Sequence, residues 1–516
     1  MLKLIASIGG FCLIFYLYRR KKRSILPLPP GPKGYPIIGN ALDMPPSAVW
    51  EKYHEWCKEL GSDIIYLNLA GKDVIILDSY EAVTELLEKR SSIYSDRPRM
   101  PMLGELMGFD FNFGFLPYGD RWRAQRKLMI QVFHKTSTKN LQPHMLKATH
   151  DLLRRFVDSP NDIIGNIRHM TGESIIAIAF GLEAQPENDP YIDIAERGNR
   201  LVTTVSMPGL FLVDSIPSLM HVPEWMPGAG FKRKAREWRK IAKAMLEIPS
   251  SAAKKRIDSG DYLPSFMSYS LSRMDEKGDI TQQESLIKAT AATMHSAGAD
   301  SIFAAVTSCI IALLNHPDIL KRAQEQIDSV VPFGDLPTFD EEEELPLVTA
   351  ICMETIRWRD IVPAGIPHML SKDDVYKGYH LPKGAVVVGN AWTLLHDEEV
   401  YPDPFSFKPD RFLQDGKINK SVRDPSDVAF GYGRRICPAR LMALSAVWIT
   451  VASLIAAFDI RQAVDDKGHV IDADPEYDCD TLLRLPKPFK CSMKPRSEKH
   501  RKTILATLGH EYHYAL

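Results

Sequence analysis

The sequence predicts long apolar helices, one of them an N-terminal transmembrane helix and the others within a large domain. Three observations carry this. Residues 4–18 are almost wholly apolar and are followed at once by Arg19-Arg20-Lys21-Lys22-Arg23. Residues 285–314 form a second apolar run, long enough to pass through the middle of a large domain and closed by Asn315-His316-Pro317. Residues 439–457 are a third helix-forming run.

The first run reads as an anchor. A removable secretory signal carries its positive charge ahead of the apolar stretch and ends in small residues; here the order is reversed. Positive residues stay on the cytoplasmic side, so the body should face the cytosol. The run is short against the roughly 20 residues of a full span, and residues 1–18 cross by thinning the bilayer or by snorkelling of the flanking cations. An amphipathic surface helix would need a charged face, which 4–18 lacks. Pro27, Pro29, Pro30 and Pro32 follow, and favour a semi-rigid extended spacer. The chain therefore divides into an anchor (1–23), a proline-rich hinge (24–34), one large domain (35–495) and a polar tail (496–516) with no evident packing role.

Composition narrows the function. With 45% hydrophobic and 25% charged residues the chain has the makings of a large core. Its net charge of −1 gives no field for nucleic acid. The acidic run at 340–344 reads as a solvated loop. The seven cysteines are scattered, with no pair at C-x-x-C spacing, which argues against zinc knuckles and thioredoxin-type chemistry and suits a reducing compartment.

Inside the long run lies Ala297-Gly298-Ala299-Asp300-Ser301. A mid-helix glycine costs about 1 kcal/mol against alanine, and a buried unpaired carboxylate costs more. Two readings stand. One is a packing glycine beside an ion-paired aspartate. In the other, Gly298 leaves room for a ligand and Asp300 and Ser301 relay protons to it.

Phe430-Gly431-Tyr432-Gly433-Arg434-Arg435-Ile436-Cys437-Pro438 runs into the third helix. Its glycines permit a tight loop that turns amide N–H groups on a sulfur. The helix N-terminus and both arginines should lower the thiol pKa, and a thiolate is what a haem iron needs to cleave O–O.

Here the sequence resembles the cytochrome P450 superfamily. Phe430, Gly433, Arg435 and Cys437 match its F-x-x-G-x-R-x-C loop. Glu354 and Arg357 match E-x-x-R, and Arg411 stands where the family places a third member of that charge network. Trp122 and Arg126, one helical turn apart, match its W-x-x-x-R pattern. The resemblance implies a mainly α fold with a smaller β-sheet region and a haem b ligated by Cys437. It makes Trp122, Arg126, His368 and Arg435 propionate partners, and Asp300 with Ser301 the proton relay. NADPH electrons would arrive through a cytochrome P450 reductase, with cytochrome b5 as a second donor.

Asn390-Ala391-Trp392, His396-Asp397, Tyr401-Pro402-Asp403-Pro404 and residues 486–491 look like fungal, basidiomycete-type microsomal members of specialised metabolism. That implies a single-pass endoplasmic-reticulum enzyme with its catalytic domain in the cytosol. Segments 100–115, 203–211, 361–366 and 481–485 should line a pocket for a hydrophobic molecule, such as a terpenoid. Ser301, Ile302, Ala439 and Asp410 depart from the usual threonine, second hydroxyl residue, glycine and glutamate. Ser301 matters most, because a serine hydroxyl rotates more freely. Two alternatives stand beside this: a haem-containing peroxide isomerase or dehydratase, which would not need Asp300-Ser301, and a non-catalytic haem- or lipid-binding membrane protein, which would not need Asp300 in a buried helix.

Overall fold

The computed structural model describes residues 26–207, 209–471 and 476–515, so the expected anchor lies outside the described residues. Helices dominate, and one of them sets the plan. Helix α6 (Ile280–Asn315) begins five residues before the apolar run because the Asp279 side chain accepts the Gln282 N–H and caps it. It packs most heavily on α3 (Ile163–Phe180), and also on α1 (Asp120–Phe133), α4 (Pro190–Val205), α5 (Gly230–Ser259), α7 (Pro346–Trp358) and α8 (Arg440–Ala457). By length and composition α6 and α8 could each cross a membrane. However, 78% and 72% of their most apolar stretches are buried inside the domain, so both are core helices.

The β region is small. Strands β1 (Ile64–Leu69), β2 (Lys72–Leu77), β3 (His368–Met369) and β4 (Val386–Gly389) form one mixed sheet in the order β1-β2-β4-β3. Val74–Leu77 run parallel to Val386–Gly389, and His368 pairs antiparallel with Val387. This pairing sets His368 beside the chain at residues 94–97, because the Met369 N–H donates to the Asp96 carbonyl at 2.8 Å.

The two segments flanking the domain are docked on it, which corrects the expectation that the tail has no packing role. The described part of the proline-rich hinge is not free, since Pro27 and Pro30 carbonyls accept from His380 N–H (2.7 Å) and Tyr66 N–H (2.8 Å). A methyl at Gly31 would lie 2.0 Å from the Tyr66 carbonyl oxygen, so the segment is pressed onto β1. The polar tail also packs. Its helix α9 (Glu498–Ala506) docks on α2 (Gln142–Asp158) and α8. Tyr512 and Tyr514 then reach α2, where His150 Nδ1 and Tyr512 Oη are 2.7 Å apart and the Tyr514 ring lies 4.5 Å from that of His144. The two tyrosines stand among polar residues near the end of the tail.

Burial depresses His144, His150 and His295 to about 4, and His396 to about 3. The unfolded chain therefore binds more protons between pH 6.5 and those values, and stability is lost as pH falls through that window. Each histidine contributes up to about 1.4 kcal/mol per pH unit. Asp360, pushed up to about 6 by burial, acts with the opposite sign, as do Glu196, Asp214, Glu342 and Asp427 with smaller shifts, while His169, His368 and His500 add to the histidine side. The melting temperature should drop steadily from pH 6.5 to 4.5; a flat profile would contradict these assignments.

Candidate active site around Cys437

The loop before α8 is built by two left-handed glycines, Gly431 (φ +76°) and Gly433 (φ +53°). At Gly433 no side chain fits, because a Cβ would sit 2.3 Å from the Leu87 carbonyl oxygen. The Cys437 N–H donates to the Phe430 carbonyl at 2.8 Å and closes the loop. Cys437 itself is half-buried.

Its thiol differs from the sequence expectation. Burial pushes its pKa up, opposed by the Ala439 N–H at the sulfur and by the charges of Arg126 and Arg440. The two loop arginines do other work: Arg434 donates to Tyr118 Oη (2.8 Å), and Arg435 to the Ser95 and Leu116 carbonyls (both 2.7 Å). Desolvation outweighs the nearby positive charge, so without metal the thiol stays protonated. A bound metal cation removes that proton outright.

A buried cationic cluster lies beside the loop. The Arg435 guanidinium stacks 4.6 Å over the Trp122 ring, and Arg126 donates to the Ile436 carbonyl. Arg97, which the sequence reading did not single out, is equally buried; it donates to the Gly114, Ile366 and Pro367 carbonyls. His368 Nδ1 is 2.7 Å from the Tyr94 carbonyl, and burial with the charges of Arg97 and Arg435 holds the ring neutral. Trp122 Nε1 and Arg435 Nη1 are buried without a protein acceptor. Buried donors and uncompensated positive charge call for an anion. A haem with two propionates fits: Cys437 would take the iron, and Trp122, Arg126, Arg435, Arg97 and His368 the carboxylates. A carboxylate here would also allow His368 Nε2 to take a proton and donate.

The E-x-x-R pair is completely buried. Glu354 receives two bonds from Arg357 (2.7 and 2.8 Å) and one from Arg411 Nε (3.2 Å). Arg357 also donates to the Leu395, Pro404 and Ser406 carbonyls, tying α7 to the chain approaching the cysteine loop.

Asp300 and Ser301 lie on α6, apart from this cluster. Asp300 is 7% exposed and paired with Arg168 of α3 (3.1 Å). The Ser301 hydroxyl donates to the Ala297 and Gly298 carbonyls (3.2 and 3.3 Å). The structure thus does not join the two side chains by a hydrogen bond. At Gly298 a Cβ would meet Ile175 Cδ1 at 2.5 Å, so this glycine permits close packing of α6 on α3 and does not leave ligand space. Of the two readings of Gly298, the packing one holds.

The four pocket segments meet. Met102, Leu103, Met107, Phe109 and Phe111 pack in one cluster with Val202 and Val205. The Leu482 N–H donates to Thr203 (3.2 Å) and the Arg484 N–H to Ile361 (2.9 Å). Arg484 also pairs with buried Asp360 at 3.3 Å, a link that spacing could not reveal.

A family model described as Cytochrome P450 matches residues 29–493, almost the whole chain. The chain belongs to the cytochrome P450 family. Among its relatives, Cytochrome P450 monooxygenase 98 of Postia placenta is 45% identical, with 98% of this chain and 97% of the relative covered. Tryptamine 4-monooxygenase of Psilocybe cyanescens is 39% identical (97% and 99% covered). Cytochrome P450 monooxygenase ple1 of Rhodocybe pseudopiperita is also 39% identical (98% and 96%). This P450 is therefore a monooxygenase of a family that uses thiolate-ligated haem iron.

Proposed function

We propose that this P450 inserts one atom of O2 into a neutral, hydrophobic small molecule, a terpenoid or related product of fungal specialised metabolism. The observation that carries the substrate class is the meeting of four largely apolar segments. Their carboxylates, Glu105 and Asp110, are exposed and paired with Arg99 (2.7 Å) and Arg121 (3.2 Å). Neighbouring Asp360 is held by Arg484. Glu105 and Asp110 thus leave no carboxylate of the four segments for an ammonium group, which favours a neutral substrate over an amine such as tryptamine; Asp360, next to them, is paired through Oδ1 and keeps Oδ2 buried without a partner. Deleting the gene and identifying the metabolite that accumulates tests this; an accumulating amine would count against it.

Bound haem, ligated by Cys437, supplies the oxygen activation, helped by electron donation from sulfur. Trp122, Arg126, His368, Arg435 and Arg97 hold its propionates. Asp300 and Ser301 would carry the protons that the reaction consumes. Electrons come from NADPH through a reductase, with cytochrome b5 as a second donor. Exposed Arg123, Lys127 and Arg434 around the cysteine loop give an acidic flavoprotein a docking face. The enzyme sits on the endoplasmic reticulum, held by residues 1–23. Exposed Leu212, Ile216, Trp225 and Met226, with Ile37 and Leu42, support contact of the body with the bilayer.

Ser301→Ala should keep haem binding yet raise hydrogen peroxide released per NADPH, because a proton donor is lost. Asp300→Asn should slow NADPH-supported turnover by about 10- to 100-fold. If Ser301→Ala releases no more peroxide than the parent, its hydroxyl is not in the relay.

A further inference from the structure

Helices α3, α4 and α6 enclose a cavity of about 10 Å³, room for roughly one water molecule. Its walls carry three charged side chains: Arg168 from α3, Glu196 from α4 and Asp300 from α6. The same nitrogen, Arg168 Nη1, lies 3.1 Å from Asp300 Oδ1 and 4.0 Å from Glu196 Oε1. The guanidinium is steadied 4.1 Å over the Phe303 ring. The two carboxyls differ in access to water. Asp300 is buried, whereas 44% of the Glu196 side chain is exposed. A path therefore leads from solvent to Glu196, then to the cavity, then to Asp300.

We propose that Glu196 is the proton-loading group of this enzyme: it takes protons from solvent and passes them through water in the cavity to Asp300, with Arg168 positioning both carboxyls. The proposal rests on Asp300 being the inner proton carrier. Each transfer leaves Glu196 ionised until solvent reprotonates it, so charge balances over a cycle and nothing is oxidised.

The charges facing Glu196 suit this role. Its carboxyl is raised, first by burial and further by Asp300 and Asp193, while Arg168 and Arg200 pull it down. It thus holds a proton nearer neutral pH than a free glutamate does. Asn199, on the same wall, accepts the Ser296 hydroxyl at Oδ1 (2.8 Å). Glu196 acts through Asp300; it does not touch the reacting atoms.

The experiment uses the full chain in membranes with an NADPH-dependent reductase and no added substrate. Glu196→Gln, Glu196→Asp and Asp300→Asn are compared with the parent. Glu196→Gln should lower NADPH consumption by about three- to tenfold, less than the loss expected for a group that hands protons on directly. It should also increase the solvent deuterium isotope effect, and Glu196→Asp should restore part of both. In the resting protein, infrared difference spectra across pH should show a protonated carboxyl band that Glu196→Gln removes and Asp300→Asn shifts.

A purely structural ion pair predicts otherwise: a lower melting temperature with rate and isotope effect unchanged. That result overturns the proposal. Asp300→Asn separates the two levels. If it slows turnover while Glu196→Gln does not, protons enter elsewhere and the role of Asp300 survives. If neither slows turnover, the reading of Asp300 falls, and the inlet with it.

Discussion

Cys437→Ser should yield a folded protein whose reduced carbon-monoxide complex lacks the thiolate absorbance and whose monooxygenase activity is abolished. The loop does not depend on the sulfur. It is closed by the Cys437 N–H to Phe430 carbonyl bond, by two left-handed glycines, and by the fit of Gly433 against Leu87. Serine preserves all of these and removes only the donor atom. An alcohol has a far higher pKa than a thiol and gives less charge to iron, so ligation weakens and the electron push on bound oxygen is lost. Circular dichroism should match the parent while the carbon-monoxide spectrum does not. An unchanged spectrum would exclude Cys437 as the ligand.

Arg357→Ala should remove most folded protein from expression, and Arg357→Lys should rescue little of it. Both members of the pair are fully buried, so deleting the guanidinium leaves the Glu354 carboxylate away from water with only Arg411 Nε (3.2 Å) and the Lys408 N–H (2.8 Å) as donors. Breaking one side of such a pair costs about 3–5 kcal/mol, a large share of the roughly 5–15 kcal/mol by which a domain is stable. The deletion also takes the Arg357 donors away from the Leu395, Pro404 and Ser406 carbonyls. Lysine carries the charge but not the fork that reaches two carboxylate oxygens and three carbonyls together. Yield, circular dichroism and haem content measure the outcome. Arg411→Lys should be milder, because Arg411 gives Glu354 only its Nε while its other nitrogens serve the Pro402 and Asp403 carbonyls at the surface. Wild-type haem content in Arg357→Ala would show the network to be dispensable.

Much of this protein is legible in its sequence because its strongest signals are local. The cysteine loop is one short stretch whose glycines and following helix dictate its turn. Trp122 with Arg126, and Glu354 with Arg357, each share one face of one helix. The apolar lengths of α6 and α8 marked them as helices, although the Asp279 cap starts α6 five residues before the apolar run. The sulfur's environment was less legible: counting nearby arginines could not show that Arg434 and Arg435 point elsewhere while burial raises the thiol.

Tertiary structure alone decided the rest, since the deciding partners lie far apart in the chain. Arg168 and Asp300 are 132 residues apart, and the Met369 N–H must reach Asp96 before His368 stands near Arg97. Gly298 could favour a ligand or a neighbour equally until α3 brought Ile175 against it. The tail read as idle because its packing depends on rings meeting histidines of α2 across the fold. The sequence by itself determined the loop, the helices and the family they mark. Which charges face one another was settled by packing, because a side chain's electrostatic partner is chosen by distance in space and by the water that burial removes.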